Sequence, residues 1–225
     1  MKIVKMRGRY KILAISEVGR LHIHQNIPNQ DAFNYKVYDK LIVGAVSDGM
    51  GSKKFSQIGS RILTSIVVKE AKTFYKNKVL FEKRLLKLYK QKIKPLKIED
   101  TLSTLLFVII KNNKTYIAKV GDGMVVGVGK ENIIIDDDKG FSNLTTTFSV
   151  DRLKWWEFDF EFDTIFLATD GISDDIKDKL NFVKNFSEYF FKYPNRKQQL
   201  KHMLLNWPVK GSNDDKTLLC IKRVK

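Results

Sequence analysis

Three apolar runs in this chain stop in the same way. "LIVGAV" leads into "SDGM", "TYIAKV" into "GDGM" and "TIFLA" into "TDGI". Short β-branched runs bounded by turn residues read as strands. An aspartate placed where such a strand stops is held at the edge of a sheet, and the glycine after it lets the backbone turn sharply. A fourth aspartate, Asp214, stands just before the apolar run "KTLLCIK". If these strand ends converge, Asp48, Asp122, Asp170 and Asp214 form one cluster, and clustered carboxylates repel and raise each other's pKa unless a cation neutralises them. Oxygen-only ligands suit Mg²⁺ or Mn²⁺, and no Cys/His spacing here suits zinc. Asp-Gly is also a common turn dipeptide, so any one of these aspartates is explained by a turn. It is the set of four that points to a site.

The rest of the chain supplies strands in two groups with helical blocks between them. "YKILAIS" and "KLIVGAVS" read as strands, "FSQIGSRILTSIVVKEAKTFY" as a helix with Ile58, Ile62, Ile66 and Val67 near one face. Ser52 or Ser56 is a candidate cap for its start. "VLFEKRLLKLYKQKI" is a second, very basic amphipathic helix that Pro95 helps to end. "STLLFVIIK", "TYIAKV", "MVVGVG" and "NIIID" follow as four strands, predicting a meander of antiparallel hairpins. "DTIFLATD" is a further strand, helical material runs from about Asp174 to Asn206, and "KTLLCIKR" is the last strand. This order predicts an α+β fold, packed antiparallel sheets with helices outside.

Bulk properties set limits. With 225 residues, one sizeable domain is expected over 1–225. No run reaches the roughly 18 uninterrupted apolar residues of a membrane helix, and no small-residue cleavage site follows the basic start, so neither a membrane span nor a secretory leader is expected. Cys220 is the single cysteine; it lies in an alternating apolar run, reads as a packed core thiol, and fits a reducing cytoplasm. The formal charge of +16 means long-range attraction to anions without naming one. Its lysines are scattered over helical faces, no zinc-finger or RNP-type signature accompanies them, and nucleic acid is not the expected partner.

Six short motifs, in order, resemble the protein phosphatase 2C family, the PPM-type metal-dependent serine/threonine phosphatases. They are "NQDAF" (29–33), "SDGMGS" (47–52), "STLL" (103–106), "VGDG" (120–123), "ATDGISD" (168–174) and "SNDDKT" (212–217). The resemblance covers about residues 12–223 and is closest to a compact bacterial branch. It implies a four-layer α-β-β-α sandwich of two antiparallel sheets flanked by helices. It also implies two Mn²⁺ or Mg²⁺ ions, with a position for a third. Asp48 would bridge two ions and the carbonyl of Gly49 would bind one. Asp170 and Asp214 would complete the first metal, Asp31 would support the cluster from its edge, and Asp122 with Asp170 matches the third position. Asp48, Asp170 and Asp214 would thereby serve catalysis. The implied reaction is phosphomonoester hydrolysis by direct attack of a metal-bridging hydroxide, without a phosphoenzyme. The implied substrate is a phosphorylated protein, with a cognate Ser/Thr kinase as counterpart, and a monomer is expected.

Four positions depart from the family pattern. Gln30 stands where many members have glutamate, and Asn26 falls roughly where many have a phosphate-gripping arginine. Arg20, His22, His24, Lys53 and Arg61 are candidate substitutes for that arginine. Met50 replaces a histidine that acts as general acid in some relatives, and Asp215 replaces the asparagine after Asp214, where it would either add charge near the metals or point away. The runner-up expectation is therefore a pseudophosphatase that binds a phosphoprotein or kinase without turnover; a metal-dependent phosphodiesterase ranks third. Trp155 and Trp156 read as core or edge-strand residues, with a substrate or partner surface as the alternative, and no large independent flap is expected nearby. "DDD" (136–138) reads as a solvated hairpin end, and Trp207 with Pro208 as the end of the last helix.

Overall fold

The computed structural model describes residues 2–3, 9–38, 41–74, 77–136, 147–148, 152–192, 196–209 and 212–224. In chain order the elements are β1 (Lys2–Ile3), β2 (Tyr10–Glu17), α1 (Arg20–Gln25), β3 (Ala32–Val37), β4 (Leu41–Ser47), α2 (Ser56–Phe74) and α3 (Lys78–Lys92). They continue with a 3-10 turn at Ile98–Asp100, β5 (Leu105–Lys111), β6 (Lys114–Val120), β7 (Met124–Val128), β8 (Ile133–Ile135), β9 (Lys154–Phe158) and β10 (Thr164–Ala168). The last are α4 (Asp170–Ser173), α5 (Lys179–Lys192), α6 (Lys197–Leu205) and β11 (Lys216–Arg223).

These elements form two compact units. The first takes residues 1–29, 123–137 and 162–225, and the second takes 30–122 and 138–161. Each is one antiparallel sheet with helices on it, so the expected pair of antiparallel sheets flanked by helices is what the chain makes.

The first unit holds a six-stranded sheet in the order β1-β2-β11-β10-β7-β8. Alternation along its strands sends Leu13 and Ile15, Met124 and Val126, Phe166 and Ala168, Leu218 and Cys220 to one side. There they pack with Val183 and Phe186 of α5 and Leu200 and Leu204 of α6. Leu219, Ile221, Ile165 and Leu167 on the opposite face are also buried, which is why β11 reads as a continuous apolar run. Cys220 is fully buried, as expected of a core thiol.

The second unit holds a five-stranded sheet in the order β3-β4-β5-β6-β9. Val43 and Ala45, Phe107 and Ile109, Ala118 and Val120 meet Leu63, Val67 and Phe74 of α2 and Phe81 and Leu85 of α3. Asn77 caps α3, its side chain accepting from the Leu80 N–H at 2.9 Å. Trp155 stands on the edge strand β9 and stacks on Phe74 with ring centroids 5.1 Å apart and planes 9° apart, so the packing expectation holds.

Four expectations need correction. The four strands after α3 are not one meander: β5 and β6 pair in the second unit, whereas β7 leaves it to pair with β10 and β8. The break falls at "GDG", where Gly121 (φ 86°) and Gly123 (φ 102°) take left-handed conformations that carry the chain out of the hairpin path. Of the expected α2 face, Ile66 and Val67 are fully buried, but Ile58 and Ile62 are only partly so, and the packed face also takes in Gly59, Ser60, Leu63 and Thr64. Small residues win there because the helix runs close to other backbone; a Cβ at Gly59 would lie 1.9 Å from the Thr101 carbonyl oxygen. Neither Ser52 nor Ser56 caps α2, since Ser56 is already its first residue and the Phe55 carbonyl accepts the Ile58 and Gly59 N–H groups. In "DDD", Asp136 pairs with Lys179 rather than with solvent, and Asp137 and Asp138 lie outside the described residues.

Candidate functional site

In the second unit, strand register brings the predicted residues to one end of the sheet. Ala32 pairs with Ser47, so the next residues outward, Asp31 and Asp48, stand opposite each other. Asp31 is buried and Asp48 half-buried. Asp122 follows β6, whose last residue pairs with Leu105 at the start of β5, and so lies at the same end. Antiparallel order explains this: β4 and β6 finish where β3 and β5 begin.

The "STLL" segment fixes the Asp48 backbone. The Asp48 N–H donates to Thr104 Oγ1 at 2.9 Å, the Thr104 N–H donates to the Asp48 carbonyl at 2.8 Å, and the Ser47 hydroxyl donates to the Thr104 carbonyl at 2.5 Å. Gly49 bridges to Ser103, and the Met50 N–H donates to the Leu102 carbonyl at 3.0 Å. Gly49 admits no side chain, because a Cβ there would meet the Gln30 carbonyl oxygen at 2.7 Å and the Ser56 carbonyl carbon at 2.8 Å. Gln30 is itself buried, and its carbonyl accepts from the Ser60 hydroxyl at 2.5 Å. Gly51 is roomier, its nearest neighbour being Gln30 Oε1 at 3.8 Å.

In the first unit, Asp170 opens α4 directly after β10, and Asp214 lies just before β11. The strands are joined beyond the sheet: the Thr169 N–H donates to the Thr217 carbonyl at 3.0 Å and the Thr217 N–H to Thr169 Oγ1 at 3.1 Å. Gly171 makes the close approach possible. A Cβ there would lie 2.0 Å from the Asp215 carbonyl oxygen and 3.4 Å from the Asp214 Cβ. Asp170 is half-buried and Asp214 exposed, so both carboxylates can reach a ligand.

Asp215 behaves differently. It is buried, its Oδ1 accepts the Gly19 N–H at 2.7 Å, and its Oδ2 lies 2.9 Å from Nδ1 of His22. It ties the Asp214 loop to the start of α1, and of the two options for this position it adds charge beside Asp214, since a carboxylate oxygen of each lies within 4.8 Å of the other. His22, Asp214 and Asp215 each offer a ligand atom within 4.8 Å of the others. This junction is not evident from the sequence; the only signal is that Asp215 breaks the family pattern. Asn26 ends α1 in a left-handed conformation (φ 54°), with its N–H on the His22 and Ile23 carbonyls, a position asparagine tolerates well and arginine does not. Of the candidate replacements for the missing arginine, Arg20 reaches the Leu205 carbonyl at 3.4 Å, His22 is occupied by Asp215, and His24 is exposed.

A family model described as protein phosphatase 2C matches residues 18–207, well over half of the chain. The chain belongs to the protein phosphatase 2C family. Membership places it among the protein phosphatases, as an enzyme. No curated protein sequence matches it. Among solved structures, it is similar to RsbX in complex with magnesium, at 14% identity over 98% of each chain with a TM-score of 0.64. It is similar to the serine/threonine phosphatase Stp1 from Staphylococcus aureus, at 17% identity over 100% of this chain and 98% of that one, TM-score 0.63. The catalytic domain of the serine threonine protein phosphatase PstP, in complex with two manganese ions, matches at 13% identity over 96% and 99% of the chains, TM-score 0.62. These likenesses show that phosphatase 2C membership extends to the fold. No helix among the described residues is long and apolar enough to cross a membrane.

Proposed function

We propose that the chain is a metal-dependent protein serine/threonine phosphatase, one catalytic domain over 1–225, that hydrolyses phosphoserine or phosphothreonine monoesters. The observation that carries this is the placement of Asp31 and Asp48 just beyond the paired Ala32 and Ser47, beside a Gly49 that admits no side chain. Two carboxylates at adjacent strand ends repel in the absence of a counter-charge, and the Thr104 lock holds the Asp48 backbone in place despite that repulsion.

The donors fit a hard divalent cation: they are carboxylate and carbonyl oxygens, preset by backbone hydrogen bonds. Asp48 and the Gly49 carbonyl would hold Mn²⁺ or Mg²⁺ with Asp31 at the edge, and Asp170 and Asp214 would supply the remaining protein ligands. Asp122, with Asp170, would hold a third ion. Ions bound there neutralise the charge that builds up on the phosphoryl group and lower the pKa of bound water. Gly51, where a Cβ would have no neighbour nearer than 3.8 Å, leaves open space beside the Asp48 strand end for a phosphoryl group to approach. Met50 cannot donate a proton, so water must protonate the departing serine or threonine oxygen. The magnesium bound to RsbX and the two manganese ions bound to PstP support the choice of ion. The +16 charge favours phosphorylated and acidic proteins as substrates, with a Ser/Thr kinase as the opposing enzyme and the cytoplasm as the place of action.

Hydrolysis of p-nitrophenyl phosphate and of a phosphothreonine peptide, with Mn²⁺, Mg²⁺ or EDTA and beside Asp48→Asn, tests this. Turnover that needs the metal and disappears in the variant is the expected result. A folded wild-type protein without turnover under any cation would overturn the proposal.

A further inference from the structure

A groove of 710 Å³ opens on the helix-bearing face of the first unit, at the end of the sheet away from Asp170. Its floor is a single row across four strands. Lys11 of β2 pairs with Lys222 of β11, Lys222 with Thr164 of β10, and Thr164 with Val128 of β7. Two residues further along these strands the row is Leu13, Cys220, Phe166 and Val126, packed under α5. The sheet face therefore changes from apolar to cationic as it emerges from beneath the helix. Like charges placed directly opposite on neighbouring strands repel, and both lysines are half-buried. Lys222 Nζ donates to the Ser187 carbonyl at 3.3 Å, whereas Lys11 makes no ion pair among the described residues. Nothing within this row offsets the repulsion.

The groove wall is one face of α5. Lys184, Ser187, Glu188, Phe191 and Lys192 recur at helical spacing, with Lys184 and Lys192 exposed at the rim. Arg223 is held at the far side by Asp163, at 2.6 Å. Five of the twelve lining residues are lysine or arginine, against 41 of 225 in the chain, so the groove is more cationic than the protein's overall charge explains. It also carries Phe191 and Val128 and two carboxylates. A uniform run of nucleic-acid phosphates would meet those carboxylates. A peptide with spaced acids and apolar residues matches the mixture.

We propose that this groove docks a carboxylate-rich segment of the phosphorylated protein substrate, at a distance from the phosphorylated residue. The proposal rests on the phosphatase reading above. From Thr164 at the groove to Asp170 is roughly 15–20 Å at about 3.3 Å per residue. An extended substrate spans that with at least about five residues. Substrates with acids about eight residues from the phosphothreonine reach both places, and those with acids two residues away do not.

The test compares Lys184→Glu/Lys192→Glu with Lys83→Glu/Lys87→Glu, which makes the same charge change on exposed positions of α3. Substrates are p-nitrophenyl phosphate and phosphothreonine peptides with a near or a distant acidic cluster. A handful of modest exposed charge contacts predicts that the groove variant raises KM for the distant-cluster peptide about tenfold at low salt. Its kcat on that peptide and its rate on p-nitrophenyl phosphate should stay unchanged, and the α3 variant should match wild type. Equal losses in both variants would mean bulk charge alone and would overturn docking here, as would no loss in either. Binding of the labelled, unphosphorylated acidic peptide to metal-free protein is read separately by fluorescence anisotropy, with Lys11→Gln as a further variant. If the wild type lacks turnover, the phosphatase reading fails, and this second measurement still decides the groove: peptide binding weakened only by the groove variants supports it. Equal binding by all variants, or displacement of the peptide by a single-stranded oligonucleotide at lower concentration than by unlabelled peptide, overturns it.

Discussion

Asp215 Oδ2 stands 2.9 Å from Nδ1 of His22, and the same carboxylate accepts the Gly19 N–H at 2.7 Å. One buried side chain thus joins the loop that carries Asp214 to the start of α1. The neighbouring Leu21 N–H donates to the Asn213 carbonyl at 3.1 Å, and a Cβ at Gly19 would lie 2.3 Å from that oxygen, so the two segments are in backbone contact. Asp215 positions the Asp214 loop by holding it there.

Replacing Asp215 with alanine should leave the Gly19 N–H buried without its acceptor and the buried His22 imidazole without the carboxylate beside it. Loss of such a buried acceptor costs about 2–3 kcal/mol. Asp215→Asn keeps an oxygen for Gly19 and should cost about half as much. Urea unfolding in EDTA measures both, and equal effects would show that the carboxylate's charge, not its oxygen geometry, holds the loop.

Gly171 and Gly51 should respond oppositely to alanine. The new methyl at 171 would meet the Asp215 carbonyl oxygen at 2.0 Å, whereas at 51 its nearest neighbour lies 3.8 Å away. Gly171→Ala should destabilise by about 3 kcal/mol, the upper end for forced overpacking. Gly51→Ala should stay within about 0.5 kcal/mol of wild type in thermal unfolding.

Trp155 anchors β9 through Phe74, and its Nε1–H donates to Glu82 Oε1 at 2.7 Å. Trp155→Ala should cost about 3–4 kcal/mol. Trp155→Phe, which keeps a ring but loses the donor, should cost less than half of that. Denaturant midpoints for the two variants separate the ring's contribution from the hydrogen bond's.

Burial pushes the Cys220 thiol well above its usual pKa. Native protein at pH 8 should therefore resist a thiol-specific reagent until it unfolds. The unfolded thiol ionises near pH 8.5 while the native thiol stays protonated. Above that pH the native state binds more protons than the unfolded state, so stability should fall as pH rises through this range. Cys220→Ala removes that contribution to the slope, and urea titrations at pH 7.5 and about pH 9.5 read the difference.

Asp170→Asn and Asp214→Asn should each weaken Mn²⁺ binding by at least tenfold in titration calorimetry, since each removes a charged oxygen from the proposed ligand set. EDTA should abolish turnover of the wild type, with Mn²⁺ restoring it. Unchanged Mn²⁺ affinity in both variants would remove these residues from the metal site.

Local pattern determined a great deal of this protein. β-branched runs bounded by Asp and Gly marked the strands, and helical periodicity marked α2 and α3, because both depend on neighbours within a few residues. The strand-end positions of Asp48, Asp122, Asp170 and Asp214 were legible for the same reason, and the order of motifs supplied the family. What only tertiary structure decided depends on partners distant in the chain. Nothing local tells a hairpin from a change of sheet, so the departure of β7 from β6 waited on the positive φ angles at Gly121 and Gly123. Ile66 and Val67 fell on the packed face of α2 as periodicity indicated, but its small-residue centre was set by the backbone that Gly59 touches. The Asp215–His22 junction joins positions nearly the whole chain apart, and the cationic row of Lys11 and Lys222 exists only because β2 pairs with β11 in one particular register. Sequence fixes what each segment can be; register and close backbone contact between distant segments fix which side chains meet.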